Sequence, residues 1–346
     1  MIKARLNLLE VLRFVAALLV MLYHITKHYI GTDHTFLGNI FKFGFSGVDI
    51  FFVLSGFIIL YSLDIKKYTP FFFFCRRIIR ILPSFWIFLF LPTLAIQLLN
   101  LSDKYPHLLE FIPFLKTLFL TFDHQQIGPS WTLSYELFFY FVVFISLFTK
   151  KYQKLFLILF IPSFLRLFSI EIDLGIFNFF TRPIILEFLI GIIVFKLHKK
   201  NMISKNNSIK LLTISLFVFI FNGLLLKFLS NNYSLLENRV LLFGIPAGGI
   251  ILGLVSLEKY FQIKVHSIFI LLGSSSYVTY LIHAYIVSPI DKAAFSNLSN
   301  SYFINCASIL GALLVLSLSV LLYKMIEFPV LGFLNRKIKT AFNGKH

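Results

Sequence analysis

Ten apolar runs, each close to or longer than the roughly 18 residues that a helix needs to cross a bilayer, follow one another along this chain. Hydrophobic residues make up 58% of the 346 residues and charged residues only 14%, which is too few for an ordinary soluble domain. The sequence therefore predicts an all-α, polytopic membrane helix bundle with about ten transmembrane helices. The runs lie at 8–29, 44–63, 83–100, 131–149, 153–169, 181–197, 209–229, 239–256, 266–290 and 303–325.

The loops between these runs set the expected orientation. If the N-terminus lies inside, most of the 32 Lys and Arg residues fall in cytoplasmic segments, as the positive-inside rule requires. We therefore predict that both termini are cytoplasmic. No linker divides the chain, so we expect one transmembrane domain at 1–330 and a short basic cytoplasmic tail at 331–346.

Charge and cysteine content exclude several classes of protein. The net charge of +17 is spread between apolar runs and does not form a basic face or motif, which argues against nucleic-acid binding. The two cysteines, Cys75 and Cys306, lie far apart in or beside apolar runs. Neither a disulfide framework nor a metal site is expected.

Two ionisable side chains, Arg13 and His24, interrupt the first apolar run. In a helix their spacing brings them within roughly 20° of one face and about 16 Å apart along the axis. With the N-terminus inside, His24 lies in the outer half of the membrane, at a depth similar to Glu136 in the fourth run. A carboxylate that orients an imidazole makes a workable general base. We predict that His24 and Glu136 are catalytic; interfacial residues without chemistry are the alternative.

Three arginines, Arg76, Arg77 and Arg80, precede Pro83 at the predicted start of the third span. Guanidinium groups at the membrane surface can bind phosphates through two hydrogen bonds each. Together with Arg13 they predict a site for an anionic ligand that enters from the cytoplasm. Ordinary positive-inside anchoring to lipid head groups is the alternative for each arginine taken singly.

Six motifs, in order along nearly the whole chain, resemble those of the membrane acyltransferase-3 family, whose members O-acylate bacterial surface sugars. The first of them contains both Arg13 and His24, and the third contains the arginine cluster. The motifs are LNLLEVLRFVAALLVMLYHI (6–25), GFSGVDIFFVLSGFIIL (44–60), RRIIRILPSFW (76–86), PSWTLSYELFFYF (129–141), SSSYVTYLIH (274–283) and EFP (327–329). The chain resembles the stand-alone form, without the esterase-like domain that many relatives carry.

The resemblance implies an acyltransferase of the bacterial cytoplasmic (inner) membrane. Its donor would be cytoplasmic acyl-CoA, most often acetyl-CoA, used as a co-substrate, with no permanently bound cofactor. Its acceptor would be a glycan or lipid-linked sugar of lipopolysaccharide O-antigen, capsule or another exopolysaccharide. Arg13, Arg77 and Arg80 would hold the donor phosphates, with Arg76 as a further candidate. His24 would act as base on the sugar hydroxyl, with Glu136 as its partner.

Other polar residues in these motifs are predicted to lie on the acceptor side or to support the catalytic pair. Hydroxyl groups are present near the proposed path, but none lies in a nucleophile elbow, so we prefer direct transfer and leave a covalent acyl-enzyme open. Aromatic residues at helix ends are also compatible with an interfacial belt. The predicted residues are Asp49, Ser55, Trp131, Ser134, Tyr140, Tyr277 and His283.

Two other classes of function remain as alternatives. A transporter or flippase of a lipid-linked sugar or polyanion would use the same buried Arg and His, and its sign would be internal repeats with broken helices. No clear repeat is visible in the sequence. A structural or partner-binding membrane protein would tolerate apolar residues at positions 13, 24 and 136.

Overall fold

The computed structural model describes residues 6–27, 36–66, 68–100, 110–121, 130–148, 160–170, 172–173, 175–225, 238–261, 263–290 and 301–343, and the secondary structure of these residues is helical. The α-helices are α1 (Asn7–Thr26), α2 (Phe36–Ile40), α3 (Gly47–Ile65), α4 (Pro70–Leu98), α5 (Phe111–Leu118), α6 (Trp131–Ser146), α7 (Ile161–Arg166), α8 (Leu186–Lys199), α9 (Lys205–Leu225), α10 (Ile245–Tyr260), α11 (Ser267–Ser274), α12 (Ser276–Ile290), α13 (Ser301–Leu322) and α14 (Phe328–Asn343). Short 3₁₀ segments (Phe41–Ser46, Gly175–Thr181 and Pro183–Ile185) and π-helical turns (Val240–Gly244 and Tyr323–Glu327) connect some of them.

Among the described residues, six helical stretches are long and apolar enough to cross a membrane. A seventh is added if α11 and α12, which meet at 62°, count as one broken span. These seven coincide with seven of the ten predicted runs. Helix α6, at 16 residues, is shorter than a full crossing, and part of the predicted run 153–169 lies outside the described residues. The run 181–197 contains α8, which has only 14 residues.

The third predicted span begins earlier than the sequence indicated. Helix α4 starts at Pro70 and continues through Pro83 to Leu98, so the arginine cluster lies inside the helix and not before it. Thr69 caps the helix by accepting a hydrogen bond from the backbone N–H of Phe72 at 3.4 Å, and Pro70 occupies a first-turn position where its missing N–H costs nothing. A search for apolar runs stops at charged residues, so it misses the first turns of α4, which contain the arginine cluster.

The last helix occupies most of the segment predicted as a tail. Helix α14 runs as far as Asn343, so residues 331–343 are helical. The assignment of residues 331–346 to a separate cytoplasmic tail stays a prediction.

The contacts of the chain divide it into two compact units. Unit 1 comprises Met1–Lys67, Leu157–Ser276 and Ile290–Leu314. Unit 2 comprises Tyr68–Phe156, Tyr277–Pro289 and Val315–His346.

Close backbone contacts hold the helices of unit 1 together. A Cβ added at Gly56 of α3 would lie 2.2 Å from the carbonyl oxygen of Phe188, and one at Gly191 of α8 would lie 2.1 Å from that of Val53. Phe52 stacks on Phe188 beside this contact, with ring centroids 4.8 Å apart. The two helices touch through their backbones, which only glycine allows.

Helix α1 approaches its neighbours in the same way. A Cβ at Gly44 or Gly47 would lie 2.3 Å from a carbonyl oxygen of α1, that of Leu19 or Ala16 respectively. On α11, a Cβ at Gly273 would lie 2.1 Å from the carbonyl oxygen of Glu10. Glycines on three other elements therefore fix the position of the helix that carries Arg13 and His24.

We expect Gly191→Ala to destabilise the protein by about 3 kcal/mol, since the added methyl group must push α3 and α8 apart. The measurement is the unfolding temperature of the purified protein in detergent. Gly311→Ala in α13 is the matched control, because a Cβ there meets no atom of the described residues within 4 Å. That variant is expected to be neutral or slightly stabilising. Equal unfolding temperatures for the two variants would contradict the close contact.

Candidate active site

Helix α1 carries Arg13 and His24 on one uninterrupted stretch, as the sequence predicted. Both side chains are half-buried. Arg13 Nη1 lies 3.3 Å from Glu10 Oε2, one turn earlier in the helix. The His24 ring packs edge-on against Tyr23, with ring centroids 5.2 Å apart. A cation and an imidazole therefore share one face of the same helix in unit 1.

The predicted arginine cluster packs against aromatic rings in unit 2. The Arg77 guanidinium lies 5.4 Å from the ring centroid of Phe73 and 5.7 Å from that of Tyr140. The Tyr140 hydroxyl donates a hydrogen bond to the Glu136 carboxylate, one turn earlier in α6. The structure thus brings together three predicted residues, Arg77, Glu136 and Tyr140. This grouping gives a cation next to a carboxylate that is already oriented by a hydroxyl donor.

Arg80 has a different environment, because it forms a buried ion pair. Its Nη1 lies 2.5 Å from Oε1 of Glu327, whose side chain is 0% exposed. The guanidinium also lies 5.4 Å from the ring centroid of Tyr277. Glu327 ends the π-helical turn before α14 and was not among the predicted site residues. Two features of the sequence could have indicated Glu327: the EFP motif that contains it, and the position of an acid at the end of an apolar run.

Arg76 faces a third set of rings. Its guanidinium lies 5.3 Å from the ring centroid of Tyr68 and 5.8 Å from that of Phe72. These contacts stabilise a positive charge by cation–π attraction and leave its hydrogen-bonding edge for other partners. Arg76 is half-buried and lies one helical turn before Arg80 on α4.

The predicted hydroxyl and imidazole groups of unit 2 bond mostly to backbone carbonyls. Ser134 donates to the carbonyl of Leu120 at 2.7 Å, and Tyr277 donates to that of Ile81 at 3.0 Å. His283 is 1% exposed, and its Nδ1 lies 3.2 Å from the carbonyl oxygen of Thr279. These bonds fix the side chains in place within unit 2.

Trp131 and Ser55, two further predicted residues, differ in what surrounds them. Trp131 is the first residue of α6, and its ring meets that of Tyr135 at 5.8 Å between centroids. Ser55 is half-buried in the middle of α3 in unit 1. The roles of both stay predictions.

Asp49 is bound by an arginine that sequence analysis did not select. Arg239 Nε lies 2.8 Å from Asp49 Oδ1, and Arg239 Nη2 lies 2.6 Å from Oδ2, so the guanidinium binds both oxygens. The Asp49 carboxyl group also acts electrostatically on that of Glu187 in α8. The signal that could have found this cluster was the occurrence of acids inside apolar runs, since both Asp49 and Glu187 are 0% exposed.

The pairing of His24 with Glu136 stays a prediction. What the structure establishes is the local surroundings of each residue, one on α1 in unit 1 and the other on α6 in unit 2.

Comparison with known proteins identifies the class of enzyme. The profile of the acyltransferase-3 family, described as an acyltransferase domain, matches residues 6–324. The chain belongs to this acyltransferase family. The acyltransferase is also 30% identical over 305 residues to the exopolysaccharide production protein ExoZ of Rhizobium meliloti (strain 1021), a match that covers 85% of this chain and 92% of the relative. No solved structure matches the chain.

The acyltransferase also has a cavity of about 350 Å³ within unit 1, at the C-terminal ends of α3, α8 and α10. Tyr61, Asp64, His198 and Lys259 contribute to its lining. Burial and then the neighbouring Lys259 ammonium lower the pKa of His198, so this imidazole is neutral at pH 7. None of the predicted site residues lines this cavity.

Proposed function

We propose that this membrane acyltransferase moves an acyl group, most simply acetyl, from cytoplasmic acyl-CoA to a hydroxyl group of a bacterial surface glycan. The family match over residues 6–324 carries the reaction class. The relative ExoZ, named for exopolysaccharide production, favours an exopolysaccharide among the possible acceptors. The proposed location is the cytoplasmic membrane, because acyl-CoA is cytoplasmic and the chain has several apolar helices of membrane-crossing length.

The proposed topology has ten crossings and both termini in the cytoplasm. Helices α3 and α8 run parallel, since Phe52 pairs with Phe188 near their N-terminal ends and Phe57 meets His198 further along. Parallel spans need an odd number of crossings between them. The three predicted runs 83–100, 131–149 and 153–169 meet this requirement, as α4 alone would, so α6 and the run 153–169 either both cross the membrane or both do not.

The proposed donor site uses the guanidinium groups of Arg13, Arg77 and Arg80, with Arg76 as a further contributor. Acyl-CoA carries several phosphate charges, and arginine binds phosphate with two parallel hydrogen bonds. Arg77 is the best-supported member of this set. Its contacts to Phe73 and Tyr140 are through ring faces, an arrangement that orients the guanidinium.

The proposed chemistry is direct transfer. His24 takes the proton of the sugar hydroxyl as the oxygen attacks the thioester carbonyl, the new C–O bond forms, and the C–S bond breaks to release the CoA thiolate. The proton then passes from the imidazolium to the thiolate or to water, so that no net charge accumulates on the enzyme. Glu136 would stabilise the imidazolium, and the hydrogen bond from Tyr140 orients this carboxylate.

Arg77→Ala is expected to raise the KM for acyl-CoA by about tenfold or more, because a charge-assisted contact to phosphate is worth about 1.5–3 kcal/mol. The effect on kcat should be small, since phosphate contacts are the same in the ground state and the transition state. Initial rates at varied acyl-CoA, with purified protein in lipid, measure both constants. Arg77→Lys, which keeps the charge but loses the planar fork, should fall between the wild type and the alanine variant. An unchanged KM in Arg77→Ala would remove Arg77 from the donor site.

Mass spectrometry of surface glycans tests the function as a whole. Cells that lack the protein should lose one acyl substituent per modified sugar, and the wild-type gene should restore it. Unchanged glycan masses together with an altered amount or location of glycan would instead favour the transport of a lipid-linked sugar.

A further inference from the structure

Two carboxyl groups meet inside unit 1 with no exposed surface. Asp49 on α3 and Glu187 on α8 are each 0% exposed. Their helices are in backbone contact at Gly56 and Gly191, one to two turns further along. The two helices run parallel and Val53 meets Gly191, so Asp49 and Glu187, each one turn before these residues, face one another. Two ionised carboxylates in this position would repel one another in an environment that screens charge poorly.

Among the described residues, a single positive charge balances them. Arg239 binds both oxygens of Asp49, at 2.8 and 2.6 Å, and is the cation that acts on this pair. Within the part of the chain that the structure describes, no hydrogen-bond donor reaches either oxygen of Glu187. Two carboxylates are both acceptors, so a hydrogen bond between them requires a proton on one of them. An ionised Glu187 would be a buried charge without compensation, which costs several kcal/mol.

The backbone around Glu187 is shaped to hold this side chain. A Cβ at Gly244 would lie 3.0 Å from Glu187 Cγ and 3.2 Å from Oε1, so a larger residue at that position would press on the carboxyl group. Gly244 ends the π-helical turn Val240–Gly244, which begins directly after Arg239. Such turns occur frequently at functional sites in helices. The π-helical turn therefore positions Arg239 and makes room for the Glu187 side chain.

We propose that Asp49 and Glu187 form a proton-binding site that holds one proton at neutral pH. Glu187 carries the proton and donates it in a hydrogen bond to Asp49, which stays ionised and paired with Arg239. The three groups together then have no net charge, which suits a site buried among apolar helices. The ligand of this site is the proton itself.

The site also reaches towards His24, a link that rests on the proposed function. Arg239 Nη2 lies 3.4 Å from the carbonyl oxygen of Phe45, and its guanidinium lies 5.2 Å from the Phe45 ring centroid. The Phe45 ring meets that of Tyr23, the residue before His24, at 5.7 Å between centroids. Loss of the proton would leave one net negative charge acting on Arg239. Arg239 and the acid pair are thus positioning residues for the predicted base.

Infrared difference spectroscopy of the full-length protein in lipid bilayers tests the proton. At pH 7 the wild-type spectrum minus that of Glu187→Gln should show the carbonyl stretch of one protonated carboxylic acid. Asp49→Asn gives the sharper test, because Glu187 is still present in that variant but must ionise to balance Arg239. The same carbonyl band should therefore disappear in Asp49→Asn. Both substitutions are nearly isosteric, so each variant is expected to fold.

Glu110→Gln serves as the control, since this exposed residue before α5 should leave the band unchanged. No protonated-acid band in the wild-type minus Glu187→Gln spectrum would overturn the proposal. If the protonated-acid band persists in Asp49→Asn, the charge balance among Asp49, Glu187 and Arg239 on which the proposal depends would be wrong. None of these spectra depends on acyl transfer. A negative spectroscopic result would therefore not contradict the proposed function. Unmodified glycans would likewise not contradict the proton site at Asp49 and Glu187.

Discussion

His24→Ala is expected to lower the rate of acyl transfer by a factor of about 100 or more, the range that a positioned general base contributes. The loss should appear in kcat, because the imidazole acts on the proton that moves in the transition state and adds little to donor binding. The protein should still insert and fold, since His24 is a half-buried residue near the end of α1 whose ring contacts Tyr23. Turnover of acyl-CoA by purified protein, together with the acyl content of surface glycans, measures the effect.

His266→Asn is the matched control for the loss of an imidazole. His266 is exposed and caps α11 by accepting a hydrogen bond from the Ile268 N–H at 3.4 Å, a role that asparagine also fills well. This variant should keep wild-type turnover. Normal turnover in His24→Ala would end the assignment of His24 as base.

The partnership of His24 and Glu136 can be tested by non-additivity. Glu136→Gln removes the negative charge but keeps an acceptor for the Tyr140 hydroxyl, so α6 should remain intact while transfer is lost. If the two residues act as one unit, the double variant should be no slower than His24→Ala alone. Additive losses would show that Glu136 acts elsewhere in the reaction.

Helices were predictable from the sequence where an apolar run was long enough to cross the membrane by itself. The run 8–29 corresponds to α1 at Asn7–Thr26, and the run 209–229 to α9 at Lys205–Leu225. The beginning of α4 was not predictable in this way, because its first turns contain the charged arginine cluster. Those charges are accommodated by aromatic rings and by Glu327, which is 247 residues away from Arg80.

The candidate site was predictable as a set of residues but not as a set of contacts. Ionisable residues stand out in an apolar run, which is why Arg13 and His24 were selected, whereas the arginine cluster was selected at the predicted membrane surface and Asp49 as part of a family motif. Their partners come from distant parts of the chain: Arg239 is 190 residues from Asp49. No local spacing relates such pairs. Glu187 was missed because a single acid in an apolar run gives the same signal whether it is paired or lies at an interface.

Arg80→Ala is expected to reduce stability strongly and to abolish transfer, in contrast to Arg77→Ala. Removing the guanidinium leaves Glu327, which is 0% exposed, as a buried carboxylate without its cation. Breaking a buried pair from one side costs about 3–5 kcal/mol, a large fraction of the stability of a folded protein. The unfolding temperature in detergent and the amount of folded protein in the membrane measure this loss. Arg76→Ala is the matched control, since it removes cation–π contacts to Tyr68 and Phe72, worth about 0.5–1 kcal/mol each.

A double variant separates the two roles assigned to Arg80. Arg80→Met combined with Glu327→Leu replaces both charges with apolar side chains of similar size, and such replacements of buried ion pairs are often neutral or stabilising. The double variant should therefore recover most of the stability that Arg80→Ala loses. It should still transfer poorly, because the phosphate-binding cation is absent. Recovery of transfer along with stability would make Arg80 a purely structural residue and would leave Arg77 and Arg13 to bind the donor. Wild-type stability in Arg80→Ala would instead show that the pair does not hold α4 to the turn before α14.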